Sequence, residues 1–255
     1  MRQNYNDLGL RGIYAIWWRE TIVFFREKPR IVSVIINPII WLLLFGGGLG
    51  ASVNISGIDY QQFIFAGILV QTFLFSSLFY GAYLVWDKKI DLLKSILVSP
   101  LGRSQIFLGK VFGGVTISII ETIIVLIVGY LIGIPLTLYA ALAAIMIVIV
   151  ASAALTAVGL TIGSFMESPE GFQLISSLVI FPLFFLSGAL FPPENLPGPL
   201  GILVSLNPIT YIVDSLRGVL METQYFSSSL NLTALIGFLI VTNIIGMKAF
   251  ERMKI

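Results

Sequence analysis

The chain is 255 residues long, 57% of them apolar and only 11% charged, with a mean hydropathy of +0.98 and a net charge of +2. A water-soluble domain of this size needs more polar covering than that, so most of the chain faces hydrocarbon, and the small net charge gives no basis for nucleic-acid binding. With no cysteine and no histidine, disulfides, thiolate and imidazole chemistry and His-ligated zinc are excluded.

In hydrocarbon every backbone N–H and C=O needs an internal partner, which leaves helices or a closed barrel. Barrel strands alternate apolar and polar residues, whereas the apolar stretches here are continuous and about 20 residues long, the length of a helix crossing a 30 Å core. The expected fold class is therefore an all-α integral membrane protein.

Residues 1–30 read as an amphipathic helix lying along the membrane surface. Leu10, Ile13, Tyr14, Trp17, Phe24 and Phe25 fall on one arc, and Arg11, Arg19 and Arg26 on the opposite one. Arg and Glu are spread through the stretch, with no separate apolar core before a small-residue cleavage site, so no cleavable signal peptide is expected. The helix either anchors the chain or also docks a cytoplasmic partner. Six spans are expected after it, at about 31–52, 60–86, 111–133, 138–165, 171–191 and 230–248. Of the fifteen Lys and Arg residues, six lie in 1–30, five in 87–110 and three in 248–255, which places both ends and the 87–110 loop inside.

The loop 87–110 carries a second amphipathic helix at 88–99. Ile90, Leu93, Ile96 and Leu97 share its apolar face, Lys88, Asp91 and Ser95 lie opposite, and Pro100 ends it. It is placed either to sit in a groove on another protein or to act as a solvated connector. In the third span Glu121 is the one ionisable residue well inside hydrocarbon, which makes it a functional candidate or a buried neutral carboxyl bonded to a neighbouring helix. The outer segment 192–229 is too apolar to float in water. Prolines from Pro192 to Pro199 break the fifth helix, and Asn207-Pro208 reads as an N-cap with Pro at the first helical position. Short helices dipping into the outer leaflet are expected, with Ile209, Ile212, Val213, Leu216 and Leu220 as their apolar stripe and Asp214 and Arg217 facing elsewhere, where they could pair. No Walker A loop is present: the nearest stretch, from Gly102 to Gly109-Lys110, has the wrong glycine spacing and no following Ser or Thr. No metal-binding acidic cluster is evident.

The order of these parts resembles the permease of an ABC type-2 exporter, of the kind that includes daunorubicin-resistance and nodulation-factor export permeases. The resemblance covers essentially the whole chain. It rests on Phe24-Phe25-Arg26-Glu27-Lys28-Pro29-Arg30 before a span with Asn37-Pro38, and on Leu93-Lys94-Ser95-Ile96-Leu97-Val98-Ser99-Pro100-Leu101-Gly102-Arg103 with Gly109-Lys110. The strongest element is Phe185-Leu186-Ser187-Gly188-Ala189-Leu190-Phe191-Pro192, then Leu196-Pro197, Asn207-Pro208-Ile209-Thr210-Tyr211 and Asp214-Ser215-Leu216-Arg217.

The resemblance implies a six-span domain over 31–255 preceded by the interface helix 1–30, in the plasma membrane, with two copies forming the pathway. It also implies two copies of a separate ABC ATPase subunit that carries the Mg-ATP, so no cofactor and no enzymatic activity are expected in this chain. By the same analogy Lys88, Ile90, Leu93, Lys94, Ile96, Leu97, Pro100 and Arg103 form the ATPase-coupling site. Ser187, Gly188, Phe191, Pro192, Leu196, Pro197, Asn207 and Pro208 form the outer gate. Few charges and many aromatic residues favour an apolar or amphipathic substrate, such as a drug, lipid, glycolipid or polysaccharide. The competing readings are an ATP-independent channel or secondary transporter, for which only Glu121 qualifies, and a membrane-bound enzyme, for which no convergent polar groups are found.

Overall fold

The structure, a computed structural model, describes residues 5–47, 54–55, 58–192 and 198–253. It is helical apart from a two-residue antiparallel pairing of Asn54–Ile55 with Ile58–Asp59. The chain opens with α1 (Tyr5–Arg26) and α2 (Lys28–Trp41), the latter started by Pro29 and carrying Pro38 inside it, and then a π-helical turn at Leu42–Gly47. Helices α3 (Tyr60–Phe79) and α4 (Gly81–Lys89) run on as one apolar length of 30 residues. A short α5 (Leu92–Leu97) leads to α6 (Arg103–Leu131) and α7 (Leu138–Phe165). After them come α8 (Pro169–Phe185), α9 (Gly198–Leu206), α10 (Pro208–Met221) and α11 (Ser228–Glu251).

Local chemistry fixes the helix starts. Thr137, Ser168, Asn207 and Ser227 each accept a backbone N–H of the first turn of α7, α8, α10 and α11, and Pro169 and Pro208 occupy positions where a missing N–H costs nothing. Among the described residues four helical lengths are long and apolar enough to cross a bilayer: Tyr60–Lys89, Arg103–Leu131, Leu138–Phe165 and Ser228–Glu251. These correspond to the second, third, fourth and sixth expected spans. The other two are shorter. The 31–52 stretch is α2 plus its π-turn, and part of it lies outside the described residues. The 171–191 stretch is the 17-residue α8, interrupted by Pro182 and followed by turns. The third span starts earlier than expected, at Arg103, because Gly102 caps it with Gln105 accepting from the Gly102 N–H at 3.1 Å. Lys110 is therefore inside the helix.

Lipid gives helices no hydrophobic reason to associate, so close packing through small residues does it. Gly81 in α4 lies against Gly159 in α7 so closely that a Cβ on Gly81 would sit 2.0 Å from the Gly159 carbonyl oxygen. Gly163, one turn on, faces the Gly81 carbonyl in the same way. On the other side α1 packs along α6, with Ile16 over Gly109 and Glu20 over Gly113. The buried face of α1 is thus Ile16, Glu20 and Phe24, while Leu10, Tyr14, Trp18 and Phe25 are exposed. This corrects the expected split in two ways: Phe24 turns inward, and Arg19 turns from a solvated basic face onto acidic partners.

Candidate functional site

Four places on this scaffold gather the functional candidates. The first is the connection between α4 and α6. The expected continuous helix over 88–99 is broken at Ile90 and Asp91, the latter at φ 57°, a left-handed conformation that stops α4 and lets α5 restart at Leu92. Lys88 belongs to the last turn of α4. Its ammonium donates to the carbonyls of Gly163 (2.9 Å), Ser164 (2.7 Å) and Met166 (3.2 Å), so it caps the C-terminus of α7, where carbonyls lack intrahelical partners. Arg103 does the same for α11, donating to the carbonyls of Glu251 (2.7 Å) and Met253 (3.0 Å). Leu93, expected to face a partner's groove, is 0% exposed and packs in a cluster with Leu84, Ile106, Phe107 and Phe250. Ile96 and Leu97 are half-buried against the same cluster. The face that α5 and its flanks leave free is Ile90 (62% exposed), Asp91 and Lys94 (ion-paired at 2.7 Å), Val98 (87% exposed) and Pro100. The apolar stripe is real, but most of it is satisfied within the chain.

The second place was not visible in the sequence. Lys110, wholly buried, donates to Asp87 (2.6 Å) and Glu20 (2.9 Å). Arg19 donates to Glu20 (2.7 Å) and Asp87 (3.1 Å), and the Tyr80 hydroxyl donates to Glu20 (2.7 Å). Two cations meet two anions, so the cluster is neutral, as burial requires. Burial pushes the Glu20 carboxyl up, but the Lys110 ammonium, with Arg19 and the Tyr80 hydroxyl, more than offsets it, holding Glu20 below the ordinary carboxylate value. The cluster bolts α1 to α4 and α6. Its members are 23, 60, 68 and 90 residues apart in the chain, separations that periodicity along one helix does not report.

The third place is a cleft of about 760 Å³ beside that cluster, between α1–α2 and α3–α4. At its rim Arg30 pairs with Glu27 (3.8 Å) and lies over the rings of Tyr83 (4.2 Å) and Phe24 (5.0 Å). Glu121 is at its inner end, 3% exposed and accepting a hydrogen bond from Ser76. A smaller cleft of about 250 Å³, lined by Asn37, Pro38, Thr72 and Phe75, continues from the same Ser76 and Glu121 between α2 and α3.

The fourth place is the corner where α9 and α10 meet at 83°. Asn207 forms the corner: its amide donates to the Leu183 carbonyl (2.7 Å) while its side-chain oxygen caps α10 at Ile209 (3.0 Å), and Pro208 follows as the first helical residue. Ser187 donates to the Phe184 carbonyl (2.6 Å) and Gly188 takes a positive φ of 74°, turning the chain back at the end of α8. Arg217 holds that turn, donating to the carbonyls of Gly188 (2.8 Å) and Ala189 (3.2 Å), with its guanidinium 3.9 Å from the Phe63 ring. Asp214 accepts from the N–H groups of Tyr225 (2.7 Å) and Phe226 (2.9 Å) and from Asn231 (2.7 Å). Asp214 and Arg217, expected off the packed face, are thus both buried and tie α10 to its surroundings. Phe191 and Pro192 are half-buried beyond the turn. Leu196 and Pro197 lie outside the described residues.

Comparison with known proteins accords with this arrangement. The profile of the ABC-2 type transporter family matches residues 11–221. A putative transport permease, ycf38, of Cyanophora paradoxa is 29% identical over 95% of this chain and 89% of its own length. Nodulation protein J of Rhizobium leguminosarum bv. viciae is 23% identical, covering 93% of each chain. The daunorubicin resistance ABC transporter permease protein DrrB1 of Streptomyces coeruleorubidus is 23% identical over 82% of this chain and 75% of its own.

Proposed function

The chain belongs to the ABC-2 type transporter family, and from that premise we propose that it is the permease subunit of an ATP-driven exporter that moves an apolar or amphipathic substrate out of the cytoplasm. Two copies form the pathway, six spans each, in the plasma membrane with both termini cytoplasmic. Each copy binds a separate ABC ATPase subunit, which supplies the Mg-ATP site that this sequence does not encode. The relatives point the same way, since one is named as a daunorubicin resistance ABC transporter permease.

The observation that carries the reading is the mounting of α5. Lys88 fastens its N-terminal side to the end of α7, and Arg103 fastens its C-terminal side to the end of α11. Leu93 plugs it into the core. A short helix held at three points transmits a push instead of absorbing it. Its free face (Ile90, Lys94, Val98) is the surface for the ATPase, with α1 carried alongside by the buried charge cluster. On the outer side, the α9–α10 corner and the turn held by Arg217 form the gate.

The test is to express the chain with candidate ATPase subunits, capture it, and measure ATPase retention and substrate-stimulated ATP hydrolysis. Ile90→Asp and Val98→Asp should lose retention while the chain still inserts. Full retention by both variants would remove α5 as the coupling element. Substrate movement by the purified chain without any ATPase would favour a secondary transporter instead.

A further inference from the structure

We propose that Glu121, with Ser76, is the head-group site for a cationic amphiphile that reaches it through the cleft between α1–α2 and α3–α4; this rests on the permease reading and names its substrate class. The charges lining the larger cleft are Arg19, Glu27, Arg30, Asp87 and Glu121. Arg19 is committed to Asp87 and Glu20, and Arg30 to Glu27. Among the described residues Glu121 forms no ion pair, and its hydrogen-bond partner is the Ser76 hydroxyl. It is the one acid of the cleft without an ion pair, and it lies where the larger and smaller clefts meet.

A carboxyl in an apolar, nearly water-free position gains most from a ligand that brings a positive group. The walls around it fit the rest of such a ligand. Phe75 and Phe79 flank Ser76 on α3, and Tyr83 and Trp86 stand nearer the cytoplasm, so a hydrocarbon tail and a cation both find ring surface. Hydroxyl and amide groups of Ser33, Asn37 and Thr72 mark the route past Glu121 toward the outer half. A small set of placed polar groups in an aromatic-walled cleft is the general form of a site for a small amphiphile.

The experiment uses the full chain in lipid nanodiscs, captured with its ATPase, and two fluorescent dodecyl probes that differ only in the head group, ammonium or sulfate. The wild type should bind the ammonium probe roughly tenfold or more tightly than the sulfate probe, a factor typical of one well-placed charge contact. Glu121→Gln, which keeps the shape, should bring the two probes to near equality. Glu121→Asp, which keeps the charge, should preserve the order. Equal binding of the probes by the wild type, preference for the sulfate, absence of binding, or an unchanged preference in Glu121→Gln would each overturn the assignment. Retention of the ATPase in the same preparation reports separately on the permease: a complex that holds its ATPase but ignores head-group charge sinks only the Glu121 site.

Discussion

Lys110 keeps its charge in a fully buried position because two carboxylates share it. Removing one partner of such a group leaves the others uncompensated. Lys110→Met should therefore cost about 3–5 kcal/mol, seen as a lower unfolding midpoint in detergent and as faster protease release of α1. The same cluster sets a pH dependence. Glu20 has a folded-state value below the ordinary 4.5 of a free glutamate, so its stabilising contribution is complete above that value and is lost as pH falls through the folded one. A dye on α1 should report undocking in acid, and Glu20→Gln should shrink that step without abolishing it, because Asp87 remains as the second carboxylate on Lys110. None of this was legible along the chain. A helical wheel of 1–30 treats the helix as alone, and so puts Arg19 on a wet face; its partners are Glu20 beside it and Asp87, 68 residues on in α4.

Helix α5 shows how one amphipathic stripe can be divided between the chain's own core and a free surface. Ile90, Leu93, Ile96 and Leu97 do make a stripe, but Leu93 is consumed by the chain's own core, and the left-handed Asp91 turns Ile90 away from it. Leu93→Ala should lower stability by about 2–5 kcal/mol through the cavity it opens. Ile90→Asp should leave the unfolding midpoint unchanged and act on ATPase retention alone. Running midpoint and pull-down on both variants separates fold from coupling. Between α4 and α7 the expectation is equally sharp. A methyl on Gly81 meets backbone at 2.0 Å, so Gly81→Ala should cost about 1–3 kcal/mol. Gly237 in α11 has open space around its would-be Cβ, so Gly237→Ala should be neutral or stabilise by up to about 1 kcal/mol.

At the scale of the molecule, the sequence displayed the membrane class and four of the helical spans with their order, because continuous apolar runs of helix length have few other readings. The remaining two stretches are apolar enough on average, but Pro38 and Pro182 remove backbone donors within them, and composition does not show where a hydrogen-bond ladder stops. The sidedness proposed from Lys and Arg makes a direct prediction. Single labels at Ile55, Leu136 and Leu200 should react only with an impermeant reagent applied outside, and labels at Asp91, Ser168 and Met253 only after the membrane is opened. An outside response at Asp91 would invert the arrangement and detach α5 from any cytoplasmic ATPase. The corner at Asn207 was also legible, because N-cap and proline chemistry is local; the grip of Arg217 on Gly188, 29 residues back, was not.

Lys88 and its carbonyls also set an order of events during synthesis. The ammonium leaves the ribosome 75 residues ahead of Gly163, an interval on the order of 4–15 s at ordinary elongation rates of about 5–20 residues per second. Throughout that time the end of α7 does not exist, so Lys88 lacks the three carbonyls that hold it in the folded chain. Its charge is therefore uncapped for the early part of synthesis, and it becomes a helix cap only when α7 has been made and has closed against α4.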